Sequence, residues 1–149
     1  MSESHSTHQG QCRCGKIGLA ISRPPMMTVA CHCTGCQRMT SSAFSVGALV
    51  PAGAFTITRG EPVIGGLHGD SNHYHCEYCK SWLFSRPKGF DMVVVKTVMF
   101  DDLRQLAPFM ETWTSEKLPW AATPAKHSYP QFPPVADLPK LIQQFASLK

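Results

Sequence analysis

All seven cysteines of this 149-residue chain lie in three short groups, and none lies elsewhere. The groups are Cys12-Arg13-Cys14, Cys31-His32-Cys33-Thr34-Gly35-Cys36 and Cys76-Glu77-Tyr78-Cys79. Because cysteines one or two residues apart can aim two sulfurs at one point, such spacings are typical of tetrahedral metal sites. Two pairs supply four ligands, whereas the triplet supplies three. The pattern therefore predicts one closed metal site and one site with an open position.

The composition indicates a globular domain that relies partly on metal. Hydrophobic residues make up 43% of the chain, which is enough for a core, but charged residues make up only 16% against a usual share of about 25%. Metal binding can add folding free energy to such a chain. We expect residues 1–9 to form a disordered tail, in which His5 and His8 have no role, and residues 10–149 to form a single domain.

Several classes of partner and location are disfavoured. The net charge is +4, but the lysines and arginines are scattered, so we expect no nucleic-acid partner. No window approaches the roughly 18 apolar residues of a membrane span, and the polar N-terminus lacks the apolar region of a secretory signal. We expect a cytoplasmic protein without a membrane partner, in which clustered cysteines are more often metal ligands than disulfides.

Short alternating apolar segments predict a mainly β fold with a short C-terminal helix. The predicted strands are 17–21, 27–31, 44–50, 55–58, 63–67 (weak), 73–76, 82–85 and 91–100, with a helical turn at 33–39. The last third combines many prolines with aromatic residues, which predicts an irregular arm packed across a sheet. Leu138, Leu141, Ile142 and Phe145 have the spacing of an amphipathic helix.

The two cysteine pairs predict a closed structural site. Cys12, Cys14, Cys76 and Cys79 would give zinc a complete shell of four thiolates. Zinc is favoured over an iron–sulfur cluster because Cys-x-Cys is unusual among cluster motifs, although iron is an alternative. A second alternative is a pair of redox dithiols.

The triplet of Cys31, Cys33 and Cys36 predicts a second zinc site with a place for water or substrate, the arrangement of catalytic zinc. In an extended segment the side chain of His32 points away from both neighbouring sulfurs, which favours a packing or supporting role. One alternative is a second structural site completed by His68, His73 or His75. Another is a redox Cys-x-x-Cys, which the absence of βαβ alternation disfavours.

These motifs, in this order, resemble the glutathione-dependent formaldehyde-activating enzyme family, which includes centromere protein V. The resemblance covers about residues 10–120. The matching stretches are Gly10-Gln11-Cys12-Arg13-Cys14-Gly15-Lys16-Ile17, Cys31-His32-Cys33-Thr34-Gly35-Cys36-Gln37-Arg38, Cys76-Glu77-Tyr78-Cys79 and the late aromatic segment from Trp113 to Trp120.

The resemblance implies a zinc-stabilised β-tent of antiparallel sheets with two Zn²⁺ ions per chain. It implies a structural zinc on Cys12, Cys14, Cys76 and Cys79, and a catalytic zinc on Cys31, Cys33 and Cys36. The family's founding activity is addition of glutathione to formaldehyde, classed as a carbon–sulfur lyase (S-(hydroxymethyl)glutathione synthase). One departure is visible: the last cysteine motif of the family usually continues Gly-Ser, whereas this chain has Lys80-Ser81.

The mechanistic hypothesis is that an open zinc captures the substrate thiol and lowers its pKa, so that the thiolate attacks a small aldehyde held nearby. Lewis-acid polarisation of the carbonyl is the alternative. Arg38 is a candidate partner for a substrate carboxylate, as in glutathione, or else a surface arginine. Ser41, Ser42, Trp113 and Trp120 are candidate pocket residues with ordinary packing as the alternative. His32, His73 and His75 are candidate proton shuttles, although packing is the commoner role for each.

Two classes of function follow from these sites. The first is a zinc-dependent carbon–sulfur lyase that acts on a small-molecule thiol or aldehyde. The alternative is a non-catalytic, zinc-stabilised binding module. An exchangeable position on the second metal favours the enzyme, whereas a closed second site favours the module.

Overall fold

A computed structural model describes residues 7–65 and 69–148 of the chain. The strands and helices have the following bounds: β1 (His8–Gln11), β2 (Gly18–Ile21), β3 (Met27–Cys31), α1 (Thr34–Thr40), β4 (Ser45–Pro51), β5 (Phe55–Arg59), β6 (Val63–Ile64), β7 (Ser71–His75), β8 (Trp82–Pro87), β9 (Met92–Lys96), β10 (Met110–Thr112), β11 (His127–Ser128) and α2 (Leu138–Ala146). The chain divides into two compact units. The first comprises Met1–Pro25 and Leu49–Gln105, and the second Met26–Ala48 and Leu106–Lys149.

The first unit is built from antiparallel strands. β1, β2 and β5 form one sheet in that order, with Leu19 opposite Ile57. A second set of strands pairs in sequence order: β6 with β7, β7 with β8 and β8 with β9. All three pairings are antiparallel. Leu19, Phe84 and Val93 are fully buried, and β2 is buried at every position, as is typical of a strand covered on both faces. The strand ends of this unit carry the two cysteine pairs.

The second unit combines strands with the C-terminal helix. Its strands lie in the order β11, β10, β3, β4, and β10 runs parallel to both β3 and β11. Helix α2 packs beside β3, where Leu141 is buried and Phe145 meets Phe109 with 5.6 Å between ring centroids. The parallel register places Thr112 opposite Cys31, so β10 supports the strand that delivers the first cysteine of the triplet.

The predicted mainly β fold with a short C-terminal helix is confirmed. Several boundaries differ. β1 begins at His8, so His8 and Gln9 belong to a strand and not to the predicted tail, while residues 1–6 lie outside the described part of the chain. The strand predicted over 91–100 ends at Lys96, where Thr97–Met99 forms a 3₁₀ turn. The irregular arm contains β10 and β11, and their parallel pairing was not expected. The single domain over residues 10–149 stays a prediction.

None of the helices in the described part of the chain is long and apolar enough to span a membrane.

Candidate metal centres

Four cysteines of the first unit converge on one point. The Sγ atoms of Cys12 and Cys14 lie 3.5 Å apart, and those of Cys14 and Cys76 lie 3.8 Å apart. With Cys79 they form a group whose ligand atoms all lie within 4.8 Å of one another. Sulfurs bound at about 2.3 Å around a tetrahedral zinc lie about 3.8 Å apart, so this donor set fits such an ion.

The first cysteine pair lies in a tight turn between β1 and β2. The Cys12 carbonyl accepts a 3.1 Å hydrogen bond from the Gly15 N–H, and Gly15 has a φ of 82°, which glycine adopts without strain. The Ile17 N–H points at Cys12 Sγ (3.3 Å) and the Lys16 N–H points at Cys14 Sγ (3.4 Å). Backbone donors aimed at sulfur favour the thiolate form that a metal requires.

The second pair lies in the turn between β7 and β8. The carbonyl of Cys76 accepts from the Lys80 N–H at 2.9 Å, and the Cys76 N–H donates to the Ser81 carbonyl at 3.0 Å. The Ser81 hydroxyl lies 3.2 Å from Cys79 Sγ and accepts a 3.1 Å hydrogen bond from the Arg13 N–H. Ser81 therefore joins the two cysteine turns to each other.

The pKa values of this group show which thiols ionise. For Cys79, burial raises the pKa, but hydrogen bonds from the hydroxyl and backbone of Ser81 outweigh it and lower the pKa to about 5. For Cys14, the Lys16 N–H lowers the pKa, whereas desolvation and the neighbouring thiols raise it, to about 11. For Cys12, burial raises the pKa, but hydrogen bonds from the Ile17 N–H and from Cys14 outweigh it, so the pKa is lowered. The thiols of Cys12 and Cys79 thus ionise more readily than that of Cys14. A divalent cation would replace the shared protons.

Cys31, Cys33 and Cys36 converge in the second unit. Cys31 ends β3, Cys33 is the N-cap of α1, and Cys36 lies in the first turn of that helix. The Cys36 N–H donates to Cys33 Sγ at 3.3 Å, which folds the loop back on itself. The three sulfurs lie within 4.8 Å of one another, and no other histidine, cysteine or acidic residue among residues 7–65 and 69–148 joins them.

The three thiols share protons unequally. Hydrogen bonds from Cys33 and Cys36 lower the pKa of Cys31 to about 2, against desolvation and with help from the hydroxyl of Thr112. The same contacts with Cys31 and Cys33 raise the pKa of Cys36. A cluster that holds a thiolate next to undissociated thiols has the donor chemistry of a soft metal site.

The side chain of His32 is fully buried and lies outside this group of sulfurs. Its Nε2 lies 2.7 Å from Glu111 Oε1, and its ring packs 5.2 Å from that of Phe44. Glu111 is a buried acid on β10 that the sequence analysis did not identify. It lies 79 positions from His32, so no local motif connects the two residues.

A second set of contacts that supports the loop of the three cysteines was also not predicted from the sequence. The Glu116 carboxylate accepts a 2.8 Å hydrogen bond from the Thr34 N–H at the start of α1. The Gln37 amide donates to the carbonyls of His32 (2.7 Å) and Glu116 (3.0 Å). The turn after β10 therefore holds both ends of the loop that carries the three cysteines.

Two of the histidines considered as a fourth ligand lie in the first unit. His73 Nδ1 is 2.7 Å from the Ser85 hydroxyl, and the His75 ring stacks beside Trp82 with 6.4 Å between centroids. Burial, followed by the charge of Lys80, lowers the pKa of His75. The third candidate, His68, lies outside the described residues.

An open depression of about 730 Å³ lies next to α1. Its lining includes Gln37, Arg38, Ser41, Ser42, Ala43, Leu118 and Trp120. Three of the four candidate pocket residues, Ser41, Ser42 and Trp120, therefore line one cavity together with Arg38, the candidate partner for a substrate carboxylate. Trp120 is 74% exposed. Trp113 does not line this cavity and packs edge-on against Phe132 with 5.7 Å between centroids.

Comparison with known proteins places these features in a family context. A family model described as glutathione-dependent formaldehyde-activating enzyme matches residues 7–116. The fold is similar to that in the crystal structure of a Rhodobacter sphaeroides protein, with a TM-score of 0.55 and 14% sequence identity over 65% of this chain and 91% of that chain. At that identity the likeness is one of fold alone. A search of curated proteins gave no match.

Proposed function

The chain belongs to the glutathione-dependent formaldehyde-activating enzyme family, whose model spans residues 7–116, and from this premise we propose that it is a zinc-dependent carbon–sulfur lyase. Its substrates would be a small-molecule thiol, such as glutathione, and formaldehyde or another small aldehyde. The observation that carries the proposal is the group of Cys31, Cys33 and Cys36, which has three sulfurs and no fourth ligand among the described residues.

Two zinc ions per chain fit the two groups of cysteines. Cys12, Cys14, Cys76 and Cys79 would hold a structural ion, and the triplet would hold the other. At a site with three protein ligands, bound zinc supplies Lewis acidity and lowers the pKa of a thiol or water that takes the remaining position.

The residues of α1 would bind the remainder of the thiol substrate. Arg38 follows Cys36 by two positions and lines the depression beside the helix. A guanidinium at that place suits a carboxylate, with which it can form two parallel hydrogen bonds. Ser41 and Ser42 add hydroxyls along the same wall, and Trp120 adds an aromatic face that can cover an aliphatic stem.

The reaction itself is an addition that needs no oxidant. The thiol sulfur forms a bond to the aldehyde carbon, the carbonyl π bond breaks, and the thiol proton ends on the resulting hydroxyl oxygen. What the chain contributes is proximity, because binding both reactants removes the entropic cost of their encounter.

We propose a cytoplasmic location without nucleic-acid or membrane partners. Seven unpaired cysteines suit a reducing compartment, in which thiols remain available to metal. The scattered positive charge offers no basic patch for a phosphate backbone.

The direct test is to measure, by NMR at equilibrium, the rate of exchange between ¹³C-formaldehyde and glutathione with and without the protein. Because the uncatalysed addition is itself measurable, the comparison is between wild type, Cys36→Ser and buffer. We expect the wild type to raise the exchange rate at least about tenfold and the variant to give the uncatalysed rate. A wild type that binds glutathione but leaves the rate unchanged would instead indicate a zinc-stabilised binding module.

A further inference from the structure

Glu111 is an acidic side chain buried next to the metal-binding loop. The residue is 5% exposed and lies on β10 opposite Ala30, with Thr112 opposite Cys31. Its two carboxylate oxygens contact different partners. Oε1 lies 2.7 Å from His32 Nε2 and 3.6 Å from Lys117 Nζ, whereas Oε2 accepts a 2.7 Å hydrogen bond from the Ser128 hydroxyl.

A gain in folding free energy alone does not explain the buried contact between Glu111 and His32. Removing a carboxylate and an imidazole from water carries a desolvation cost that their attraction roughly cancels, and well-packed apolar residues of similar volume are often at least as stable. The arrangement also leaves His32 Nδ1 without a hydrogen-bond partner among the residues that the structure describes, which adds to that cost. A buried pair of this kind is therefore more informative about geometry than about stability.

The position of His32 gives the pair a geometric role. His32 is the residue between Cys31 and Cys33, so in extended backbone its ring points to the opposite side from their sulfurs. Its N–H donates to the Thr112 carbonyl at 3.0 Å, and its carbonyl accepts from the Gln37 amide at 2.7 Å. The backbone between the two cysteines is thus held by β10 and α1. The movement left to this short segment is rotation about its long axis.

The hydrogen bond to Glu111 restricts that rotation. If the His32 ring is anchored on one side of the strand, the Cys31 and Cys33 sulfurs are fixed on the other side. Supporting groups that orient metal ligands typically change metal affinity by about 10- to 100-fold when they are removed. Without Glu111 Oε1, neither nitrogen of the His32 ring would have a hydrogen-bond partner among the described residues, and the ring would reorient.

We propose that Glu111 is a positioning residue for the second metal site, acting through His32 to hold Cys31 and Cys33 in a geometry that binds metal. The proposal rests on the metal-binding part of the proposed function and not on the reaction. The hydrogen-bond acceptor at Oε1 is the feature required. The negative charge of Glu111 is not required for this positioning.

The test is the zinc affinity of each site, measured by competition with a chromophoric chelator on the full chain. We expect Glu111→Ala to weaken the second zinc by about 10- to 100-fold while the first zinc is retained as in wild type. Glu111→Gln, whose amide oxygen accepts from His32, should stay within about threefold of wild type. Ser128→Ala, which removes the other bond to the same carboxylate, is the matched control and should change the second affinity far less than Glu111→Ala.

A double-mutant cycle distinguishes positioning from general damage. In a His32→Phe background, the change Glu111→Ala should cause no further loss of affinity, because the contact it removes is already absent. Cobalt substitution gives an independent signal, since the thiolate-to-cobalt absorption of the second site should shift in Glu111→Ala and not in Ser128→Ala. If Glu111→Ala does not fold, Glu111→Leu fills the same volume without an acceptor and replaces it in both measurements.

Three results would overturn the proposal: equal weakening of both zinc sites, an undiminished effect of Glu111→Ala in the His32→Phe background, or wild-type affinity in Glu111→Ala. These outcomes differ from failure of the proposed function. A wild type that binds only the four-cysteine zinc would refute the open metal site itself, whatever the variants do.

Discussion

The Lys80 N–H donates a 2.9 Å hydrogen bond to the Cys76 carbonyl, and Lys80 makes this bond from the left-handed region with a φ of 64°. This geometry suits the glycine that the resemblance led us to expect at the position. A residue with a Cβ atom is strained there, whereas glycine is not. Lys80 is thus a strained substitution in the turn that carries two metal ligands.

We expect Lys80→Gly to stabilise the protein by about 0.5–1 kcal/mol, because relief of the left-handed strain exceeds the extra entropy that glycine gives the unfolded chain. Urea unfolding of the zinc-loaded protein measures the change. Lys80→Ala is the control, since it removes the charge but keeps the strain. Equal stabilisation by both variants would assign the effect to the charge.

We expect Cys76→Ser to abolish stable folding. Cys76 is 1% exposed and contributes one of the four sulfurs of its group, and structural zinc sites supply folding free energy directly. Thermal unfolding and solubility report the loss. A soluble variant with wild-type activity would contradict the structural role of the four-cysteine site.

Cys36→Ser should behave differently from Cys76→Ser. Because Cys36 lies in the first turn of a seven-residue helix with no buried residue, we expect a folded protein that retains the first zinc, loses the second and loses activity. Circular dichroism together with zinc analysis checks this. Unfolding comparable to that of Cys76→Ser would show that the second site is structural as well.

Arg38→Ala should raise the KM for glutathione about tenfold with little change in kcat, because a charge-assisted hydrogen bond to a carboxylate contributes about 1.5–3 kcal/mol. The comparison substrate is 2-mercaptoethanol, which lacks a carboxylate, and its KM should not change. A surface arginine without a binding role would leave both KM values at the wild-type level.

The Glu111 carboxylate should give stability a dependence on acid pH. Burial raises the pKa of Glu111, but hydrogen bonds from Ser128 and His32 and the charge of Lys117 outweigh it, so the pKa is lowered on folding. The stabilisation is therefore complete above the ordinary glutamate value of about 4.3 and is lost as the pH falls through the lowered value. Urea midpoints of wild type and Glu111→Gln should converge across this window. A constant difference would contradict the lowered pKa.

Local patterns predicted the strands and the cysteine groups well for physical reasons. The strand predicted at 27–31 matches β3, Met27–Cys31, whose Met27, Thr28 and Ala30 are fully buried. The short spacings explain why the cysteines within each group lie close together, whereas the meeting of Cys14 with Cys76 across 62 positions depends on the fold. The resemblance also anticipated that Lys80 departs from the usual residue of its turn, although only the backbone explains why that matters.

The supports of the second site could not be predicted from the sequence. Glu111 meets His32, and Glu116 meets Thr34, across separations of 79 and 82 positions. Such contacts depend on the parallel pairing of β10 with β3, and the proline-rich sequence around β10 gave no strand signal. A lone glutamate in the segment Phe109-Met110-Glu111-Thr112-Trp113 is the single local hint, because acids are rarely buried unless they are paired.

The most direct test of the central claim is zinc X-ray absorption of the two-zinc protein with and without glutathione. We expect the average number of sulfur ligands per zinc to rise when glutathione is added, since a thiol would take the position that Cys31, Cys33 and Cys36 leave open. The rise should be absent in Cys36→Ser, which retains only the four-cysteine ion. A wild-type spectrum that already shows two complete shells and does not change with the thiol would contradict an open, catalytic second site.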